Sequence, residues 1–323
     1  MDVPETSDQP GMALRAKSLH DIDEIPRFSH AVLIYNPAAR KMLHGPSEKL
    51  QDVLQVLSSY GVKVEVVATT GPQVASSLAK KAVDSGSDLI IASVGDGTIN
   101  EVISGMAKST VPLLVIPAGT ANVLAKEIGL PRSLVKSTEL IKTGRIRRIS
   151  LGKVDRRYFV LMAGIGVDAD TIAAVNQQLK RWLGEGSFWI AGFKQLFQYD
   201  FPSFELTIDG KVENATFAVI SKAKNYGGPF QITPQADLFS DQFDVCLFQS
   251  RNRWRYLSYL WYLTWGKHAS LSDVKYLKSR TVEVFGSSDI QVQVDGELIA
   301  TLPQKFTIET DALSLIVPRP EYS

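Results

Sequence analysis

The sequence predicts two domains, an α/β domain with a parallel sheet followed by a mainly antiparallel β-sandwich. Three observations support this prediction: the length of 323 residues, a regular alternation of apolar strands and helices up to about residue 150, and many short β runs after it. A chain of this length suits two ordinary domains. Strands that alternate with helices are typical of a parallel sheet covered on both faces, whereas closely spaced β runs are typical of a sandwich.

The first of these domains is expected at residues 29–150, after a polar tail at 1–28. Its predicted strands are Ala31–Tyr35, Val62–Ala68, Asp88–Val94 and Pro112–Ile116. Its predicted helices lie around 50–57 and at Pro72–Val83, Ile99–Ala107 and Ala121–Ile128. Gly61 and Gly129 stop two of these helices, as glycine commonly does.

The second domain is expected at residues 151–312, and residues 313–323 are expected to form a last strand and tail. Its predicted strands are Phe204–Ile208, Thr216–Ile220, Phe243–Phe248, Thr281–Phe285, Ile290–Val294, Leu298–Leu302, Phe306–Glu309 and Leu313–Val317. Helical or irregular stretches near 170–198 and 252–267 interrupt them.

Composition restricts the class of protein further. Hydrophobic residues make up 45% and charged residues 21% of the chain, values that exclude a disordered protein. Thirty-five Lys and Arg residues against 34 Asp and Glu leave a net charge of +1, so no overall charge attracts nucleic acid. The single cysteine, Cys246, excludes an internal disulfide framework and a cysteine-based zinc site. No apolar run approaches the ~20 residues of a membrane-spanning helix, so we expect a cytoplasmic protein.

Two glycine turns at predicted strand ends indicate a ligand site. One strand runs into Gly95-Asp96-Gly97-Thr98 and the next into Pro117-Ala118-Gly119-Thr120-Ala121-Asn122, and a helix follows each turn. Glycine lets an anion approach backbone N–H groups, and a helix N-terminus adds donors. With Asn36 after the first strand, three turns meet at the carboxyl edge of the sheet, where open α/β sheets bind ligands. Together they predict a nucleotide cleft, although the first turn alone fits an ordinary corner equally well. Asp96 is an anion beside the expected phosphate, so it fits this site if Mg²⁺ or a hydroxyl donor lies between the two.

Two Asp-Gly dipeptides, Asp209-Gly210 and Asp295-Gly296, lie between β runs, and each predicts a tight hairpin turn. Local sequence does not distinguish them, and a structural turn is the favoured interpretation for either one alone. Only the second is followed directly by another carboxylate, Glu297, and such a pair can supply a general base and a metal contact. Gly164-Ile165-Gly166 fits a loose dinucleotide pattern but lacks the expected acidic strand end, so we assign no cofactor to it.

In this order and spacing, Gly95–Thr98, Pro117–Asn122 and Asp295–Glu297 resemble the motifs of the diacylglycerol kinase catalytic-domain family, over nearly the whole chain from Ala31 to Val317. The resemblance implies an ATP-dependent lipid kinase with an α/β domain of the NAD kinase and phosphofructokinase type, a lipid-binding β-sandwich, and ATP with Mg²⁺ in the cleft between them. It implies catalytic roles for Asp96, Asp295 and Glu297, with Glu297 as proton acceptor. The nucleotide-binding residues that it implies are Asn36, Thr69, Gly95, Asp96, Gly97, Thr98, Asn100, Gly119 and Thr120.

The same resemblance implies a structural Mg²⁺ site in the second domain, on the loop 238–244. Asp241 would supply a carboxylate, and Leu238 and Phe243 would supply backbone carbonyls, ligands that suit a hard cation. The chain departs from the family where Gln242 replaces the glycine after the metal aspartate and Val94 replaces the first glycine of the phosphate turn.

Two further departures are Ala39-Arg40, in place of a Ser-Gly, and Val123, in place of an aspartate. These losses leave two alternatives open: a soluble metabolite kinase of the NAD-kinase type, and a non-catalytic lipid-binding protein on the same fold. The first accounts for Gly95–Thr98 but not for the other two motifs.

Arg251–His268 combines Trp and Tyr residues with basic flanks, which suits a helix lying at a membrane interface. A core helix packed on the β domain fits the same residues, and both interpretations remain open. We therefore expect a lipid substrate at a membrane surface, with the protein cytoplasmic or peripheral to the inner face of the membrane. We expect no nucleic-acid partner, and a homodimer is an open alternative.

Overall fold

The computed structural model describes residues 24–37, 39, 46–167, 169, 199–226 and 231–320. Residues 1–23 of the predicted tail and the predicted stretch at 170–198 lie outside the described residues. Within the described part of the chain, one sheet has ten strands and a second has six.

The strands are β1 (His30–Tyr35), β2 (Lys63–Ala68), β3 (Leu89–Ser93), β4 (Pro112–Val115), β5 (Arg145–Val154), β6 (Arg157–Phe159), β7 (Met162–Gly166), β8 (Phe204–Ile208), β9 (Lys211–Ala215), β10 (Phe217–Ser221), β11 (Phe243–Phe248), β12 (Val274–Ser279), β13 (Thr281–Phe285), β14 (Gln291–Val294), β15 (Glu297–Thr301) and β16 (Gln304–Val317). The helices are α1 (Pro46–Ser59), α2 (Val74–Asp84), α3 (Asp96–Met106), α4 (Val123–Glu127), α5 (Leu134–Thr138), α6 (Leu140–Thr143) and α7 (Arg253–Thr264), with a 3₁₀ turn at His268–Ser270.

Four strands of the α/β domain are parallel, in the order β2-β1-β3-β4. Every residue of β3 and β4 is buried, which explains why these strands read as continuous apolar runs rather than alternating ones. Because β1, β3 and β4 are adjacent and parallel, the turns that follow them lie at the same edge. The predicted fold class of this domain is confirmed.

Strand β16 connects the two halves of the molecule. The sequence predicted separate strands at Phe306–Glu309 and Leu313–Val317, but one strand of 14 residues includes both. Asp311, at φ 49°, lies in a register shift between Glu309 and Leu313, so its turn-like sequence forms a bulge instead of a turn. The strand pairs parallel to β4 near its end and antiparallel to β13 near its start, so one sheet extends from the α/β half into the β half.

The second half is a sandwich, as predicted. The six-stranded sheet has the order β12-β11-β10-β7-β14-β15 and is antiparallel throughout. A buried apolar cluster lies between this sheet and β5, β6, β8, β13 and the first half of β16. Phe159 from one sheet stacks on Phe243 from the other, with ring centroids 5.7 Å apart. Burying a Phe side chain stabilises a fold by roughly 1.5–3 kcal/mol, so this cluster makes a rigid support for the hairpin turns at the sheet ends.

Candidate active site

The two glycine turns that the sequence predicted to share a cleft are in direct contact. Gly95 ends the loop after β3, and Gly119 follows β4. A Cβ atom built on Gly119 would lie only 2.8 Å from the Gly95 Cα atom. Because side-chain carbons do not approach backbone this closely, the contact of the two turns requires glycine at position 119.

Asp96 joins these turns by hydrogen bonds. It is the first residue of α3, and its carboxylate accepts the backbone N–H groups of Asn122 at 2.8 Å and Val123 at 2.6 Å. Asn122 has φ 48°, and its side-chain amide both accepts from the Gly119 N–H and donates to the Gly119 carbonyl at 2.9 Å. Asn tolerates this left-handed conformation because its short polar side chain bonds the local backbone. Burial raises the pKa of Asp96, and the two N–H groups oppose that rise.

Asp295 holds a different piece of backbone in the second domain. It lies in the turn between β14 and β15, and its carboxylate accepts three backbone N–H groups, from Val160 at 2.8 Å, Leu161 at 3.0 Å and Met162 at 2.9 Å. Burial raises the pKa of Asp295 to about 6, the N–H groups oppose the rise, and the nearby negative charge of Asp96 adds to it. The two aspartates therefore interact electrostatically across the boundary between the domains.

Glu297 brings the sandwich against the glycine turn. It is the first residue of β15, and a Cβ atom built on Gly97 would lie 3.3 Å from its Oε1 atom. Its other carboxylate oxygen lies 3.7 Å from the Arg157 guanidinium, and 40% of its side chain is exposed. Glu297 is thus within reach of solvent and of any phosphate held over the glycine turn.

The other predicted nucleotide-binding residues lie on the same domain in different environments. Asn36 follows β1 and donates its N–H to the Ser93 carbonyl at 3.4 Å. Thr69 follows β2 and is buried, whereas Thr120 is exposed. Asn100 lies on the buried side of α3, and its Oδ1 atom has no hydrogen-bond partner among the described residues. Thr98, in the first turn of α3, is half-buried.

Two acidic residues that the sequence did not single out shape the surroundings of the cleft. Glu101 accepts the backbone N–H groups of Gln73 at 2.9 Å and Ala75 at 3.0 Å, and so caps the start of α2. Glu127, at the end of α4, accepts the N–H of Asn225 and its side-chain amide, which ties the α/β domain to the sandwich. Neither position belongs to a local motif, so only the tertiary contacts identify them.

The loop predicted to bind a structural metal is contacted by cationic side chains from other segments of the chain. The Asp241 carboxylate accepts from the Ser150 hydroxyl and, at 3.4 Å, from the Arg280 guanidinium. The ammonium group of the buried Lys222 donates to the Ser240 carbonyl in the same loop. Leu238 and Phe243 direct buried side chains into the apolar cores. These surroundings do not fit a divalent cation at Asp241, because two positive groups already bond the loop.

The described residues of the cleft do not form a metal site by themselves. Over the ranges that the structure describes, no cluster of three or more His, Cys, Asp and Glu side chains could hold a metal ion. The oxygens of the Asp96 and Asp295 carboxylates already accept backbone N–H groups. A carboxylate oxygen can accept more than one partner, so the two groups could still contribute to a Mg²⁺ site completed by substrate phosphates and water.

Fold and site together define a class: an α/β domain with a glycine-turn cleft, joined to a β-sandwich whose acidic hairpin reaches that cleft. Residues 30–154 match a family model described as the diacylglycerol kinase catalytic domain, and residues 162–317 match the YegS C-terminal NAD kinase beta sandwich-like domain. The diacylglycerol kinase of Bacillus subtilis (strain 168) is 30% identical over 294 residues, which cover 90% of this chain and 96% of the relative. The chain belongs to the diacylglycerol kinase family.

Other similar proteins agree with this assignment. The diacylglycerol kinase of Staphylococcus saprophyticus is 29% identical over 280 residues, covering 85% of this chain and 91% of the relative. A crystal structure of a diacylglycerol kinase from Bacillus anthracis str. Sterne has a TM-score of 0.73 at 20% identity, covering 92% of this chain and all of the other. The structural likeness confirms the fold, and the curated relatives support a lipid kinase.

Proposed function

We propose that the protein is an ATP-dependent kinase that transfers the γ-phosphoryl group to a lipid hydroxyl. The observation that carries the proposal is that Glu297, from the sandwich, lies close to Gly97 in the glycine turn. A Cβ atom built on Gly97 would lie 3.3 Å from the Glu297 Oε1 atom. Phosphoryl transfer asks a protein mainly to position the reactants and to neutralise charge. A carboxylate from one domain beside a phosphate seat on the other meets the first requirement.

In this mechanism the ATP phosphates are held by those backbone N–H groups of the two glycine turns that are not bonded to Asp96 or to the Asn122 side chain. Asp96 keeps those turns in register through its hydrogen bonds to Asn122 and Val123. Asp96 and Asp295 would hold Mg²⁺, which neutralises charge on the phosphoryl oxygens when it is bound. Asp295 also fixes the hairpin that carries Glu297, since it binds the backbone of residues 160–162.

Glu297 is the proposed general base. As the lipid hydroxyl oxygen attacks the γ-phosphorus, its proton passes to the Glu297 carboxylate and ADP leaves. General-base catalysis of this kind contributes about 10²- to 10⁴-fold to a rate. Arg157 lies 3.7 Å from Glu297 and orients its side chain.

A lipid substrate requires access to a membrane surface, and we propose that α7 provides it. One face of α7 belongs to the core: Tyr256 bonds the Thr216 hydroxyl at 2.8 Å, and Tyr259 donates to Asp273 at 2.7 Å. The opposite face is largely exposed, with Trp254, Trp261 and Trp265 at 65%, 64% and 66% exposure. Trp side chains are enriched at the headgroup level of membranes.

Basic residues surround this tryptophan face, as expected for a surface that meets anionic lipid. Arg251, Arg253 and Lys267 are exposed. Cationic side chains near an anionic membrane each contribute roughly 1 kcal/mol of attraction. No helix in the described ranges is long and apolar enough to cross a membrane.

Kinase activity is tested with labelled ATP and a panel of lipids in mixed micelles, with chromatography of the product. We expect a phosphorylated lipid from the wild-type protein and from Asp84→Asn, an exposed carboxylate paired with Lys80, but none from Asp96→Asn. Phosphorylation of NAD without lipid would instead support a metabolite kinase. Failure to bind ATP with Mg²⁺ would favour a non-catalytic lipid-binding protein.

The membrane contact is tested by co-sedimentation with phosphatidylglycerol vesicles. We expect replacement of Trp254, Trp261 and Trp265 by Ala to weaken binding by at least about tenfold, because buried aromatic area drives interfacial binding. Phe285→Ala removes another exposed aromatic side chain, 47% exposed, and should leave binding unchanged. Equal binding of the triple variant and the wild-type protein would exclude α7 as the contact.

A further inference from the structure

A fully buried lysine lies in the second domain, away from any sequence motif. Lys222 directly follows β10, its side chain has no solvent exposure, and it is among the largest completely buried side chains described. Lysine is almost never buried unless its charge is paired, because removing an ammonium group from water is costly. The partners of Lys222 therefore indicate what its charge does.

Those partners belong to the loop Asp237–Asp244, whose last two residues are the first two of β11. The Lys222 ammonium donates to the Ser240 carbonyl, and the carboxylates of Asp241, Asp237 and Asp244 lie close enough to interact with it electrostatically. Burial lowers the pKa of Lys222 to about 8, and the three carboxylates oppose that shift. The side chain is mostly charged at neutral pH, and the Ser240 carbonyl is its hydrogen-bond acceptor.

Other protein groups also bond the acidic residues of this loop. Asp241 accepts from Ser150 and Arg280. The buried Asp244 carboxylate forms an ion pair with the Lys278 ammonium at 3.5 Å but accepts no hydrogen bond among the described residues. Asp237 accepts the N–H of Phe239 at 3.1 Å. A divalent ion at Asp241, whose side chain is 53% exposed, would lie near the buried Lys222 ammonium group and beside the Arg280 guanidinium, and these like charges would repel it.

We propose that the Lys222 ammonium is the resident cation of the loop Asp237–Asp244 and that this loop keeps its structure without a divalent metal. The ammonium bonds the Ser240 carbonyl and balances the acidic residues, which are the tasks that a bound cation would otherwise perform. This inference does not depend on the proposed kinase activity.

The position of Lys222 links this loop to the candidate active site. Its backbone N–H donates to the Leu161 carbonyl at 2.8 Å, and the N–H of Leu161 donates to Asp295 at 3.0 Å. Lys222 therefore binds the loop through its side chain. Through its backbone it binds Leu161, which in turn donates a hydrogen bond to Asp295. A permanent internal cation makes this connection independent of the metal concentration.

The test is thermal unfolding of the full chain without nucleotide, in chelator and in millimolar Mg²⁺ or Ca²⁺. We expect Lys222→Met to lower Tm in chelator and to regain on the order of 5 °C with saturating divalent ion, because a ligand that binds the folded state stabilises it. Lys222→Arg keeps the positive charge and should show no such metal-dependent gain. Lys224→Met removes an exposed lysine two residues away and should behave as the wild-type protein does.

The variant Asp241→Asn distinguishes metal binding at this loop from metal binding elsewhere in the protein. Any Mg²⁺ stabilisation of the wild-type protein at the cleft should persist in that variant, whereas a wild-type stabilisation that Asp241→Asn abolishes would overturn the proposal. If Lys222→Met does not fold, Mn²⁺ binding to the wild-type protein and to Asp241→Asn, followed by electron paramagnetic resonance, decides. Equal binding by the two proteins supports the proposal, and a site lost in Asp241→Asn refutes it.

Discussion

The two Asp-Gly turns of the sandwich have the same backbone and different surroundings. Asp209 and Asp295 have φ angles of 49° and 46°, and the glycines that follow them have φ angles of 78° and 85°. Both are therefore hairpin turns of the type that Asp-Gly favours. The exposed Asp209 accepts the hydroxyl of Ser279 at 2.8 Å, whereas Asp295 accepts three backbone N–H groups and interacts with Asp96. Identical local sequence thus yields a plain turn in one place and a candidate catalytic turn in the other.

The cause of the difference is the neighbouring strand. The Asp295 turn follows β14, which pairs with β7, and the residues just before and at the start of β7 supply the N–H groups that Asp295 accepts. The Asp209 turn joins β8 to β9, the last strand in the order of its sheet. The α/β domain adds the glycine turn opposite Glu297. The role of an Asp-Gly turn therefore depends on which strands and loops of the folded protein contact it.

The largest expected effect is the loss of turnover when Glu297, the acidic residue next to the Asp295 turn, is replaced. We expect Glu297→Gln to lower kcat by about 10²- to 10⁴-fold while nucleotide affinity changes little, because the amide cannot accept the proton. Glu213→Gln is a matched control in the other hairpin, since Glu213 also pairs with a cation, Lys275. Steady-state kinetics and a fluorescent-nucleotide titration measure both quantities. An active Glu297→Gln variant would remove Glu297 from the role of base.

A smaller effect is expected on stability, at the aspartates themselves. Asp295→Ala should lower the free energy of unfolding by about 2–4 kcal/mol, because three backbone N–H groups lose their acceptor. Asp209→Ala removes one exposed hydrogen bond and places Ala at the same left-handed backbone position, so it should cost less than Asp295→Ala by about 1–2 kcal/mol. Urea unfolding of both variants measures the difference. Equal losses would mean that water replaces the Asp295 carboxylate without cost.

The sequence predicted much of the first domain because its signals are local. An apolar strand, a glycine turn and a helix follow one another at Gly95 and again at Gly119, and parallel pairing takes both turns to one edge. The contact of Glu297 with the first turn depends on how the sandwich lies against that edge. No local pattern encodes that contact: the sequence distinguished this hairpin only by its second carboxylate, Glu297, and the family resemblance implied its role.

Helix α7 and Lys222 show two other reasons why sequence alone fell short. In α7 the buried Tyr256, Tyr259 and Leu263 and the exposed tryptophans both recur at helical spacing. Because aromatic rings occupy both faces, apolar periodicity could not say which face is buried. The core interpretation describes the buried face, and membrane contact by the exposed face stays a proposal. Lys222 directly follows an apolar strand, a position at which a polar residue is common, so the sequence does not indicate that it is buried. Its burial depends on packing with the loop that contains Ser240.

The last expected effect is the pH dependence of stability that Asp295 adds. Its pKa is about 6 in the folded protein and 3.8 ordinarily, so between about pH 4 and 6 the unfolded chain releases this proton before the folded protein does. The contribution of Asp295 to the free energy of unfolding therefore falls as the pH rises through that interval and is constant above it. Asp295→Asn should lack this decline, whereas Asp209→Asn keeps Asp295 and should retain it. Urea unfolding at several pH values measures the slopes, and a decline of equal size in all three proteins would show that burial of Asp295 does not govern its ionisation.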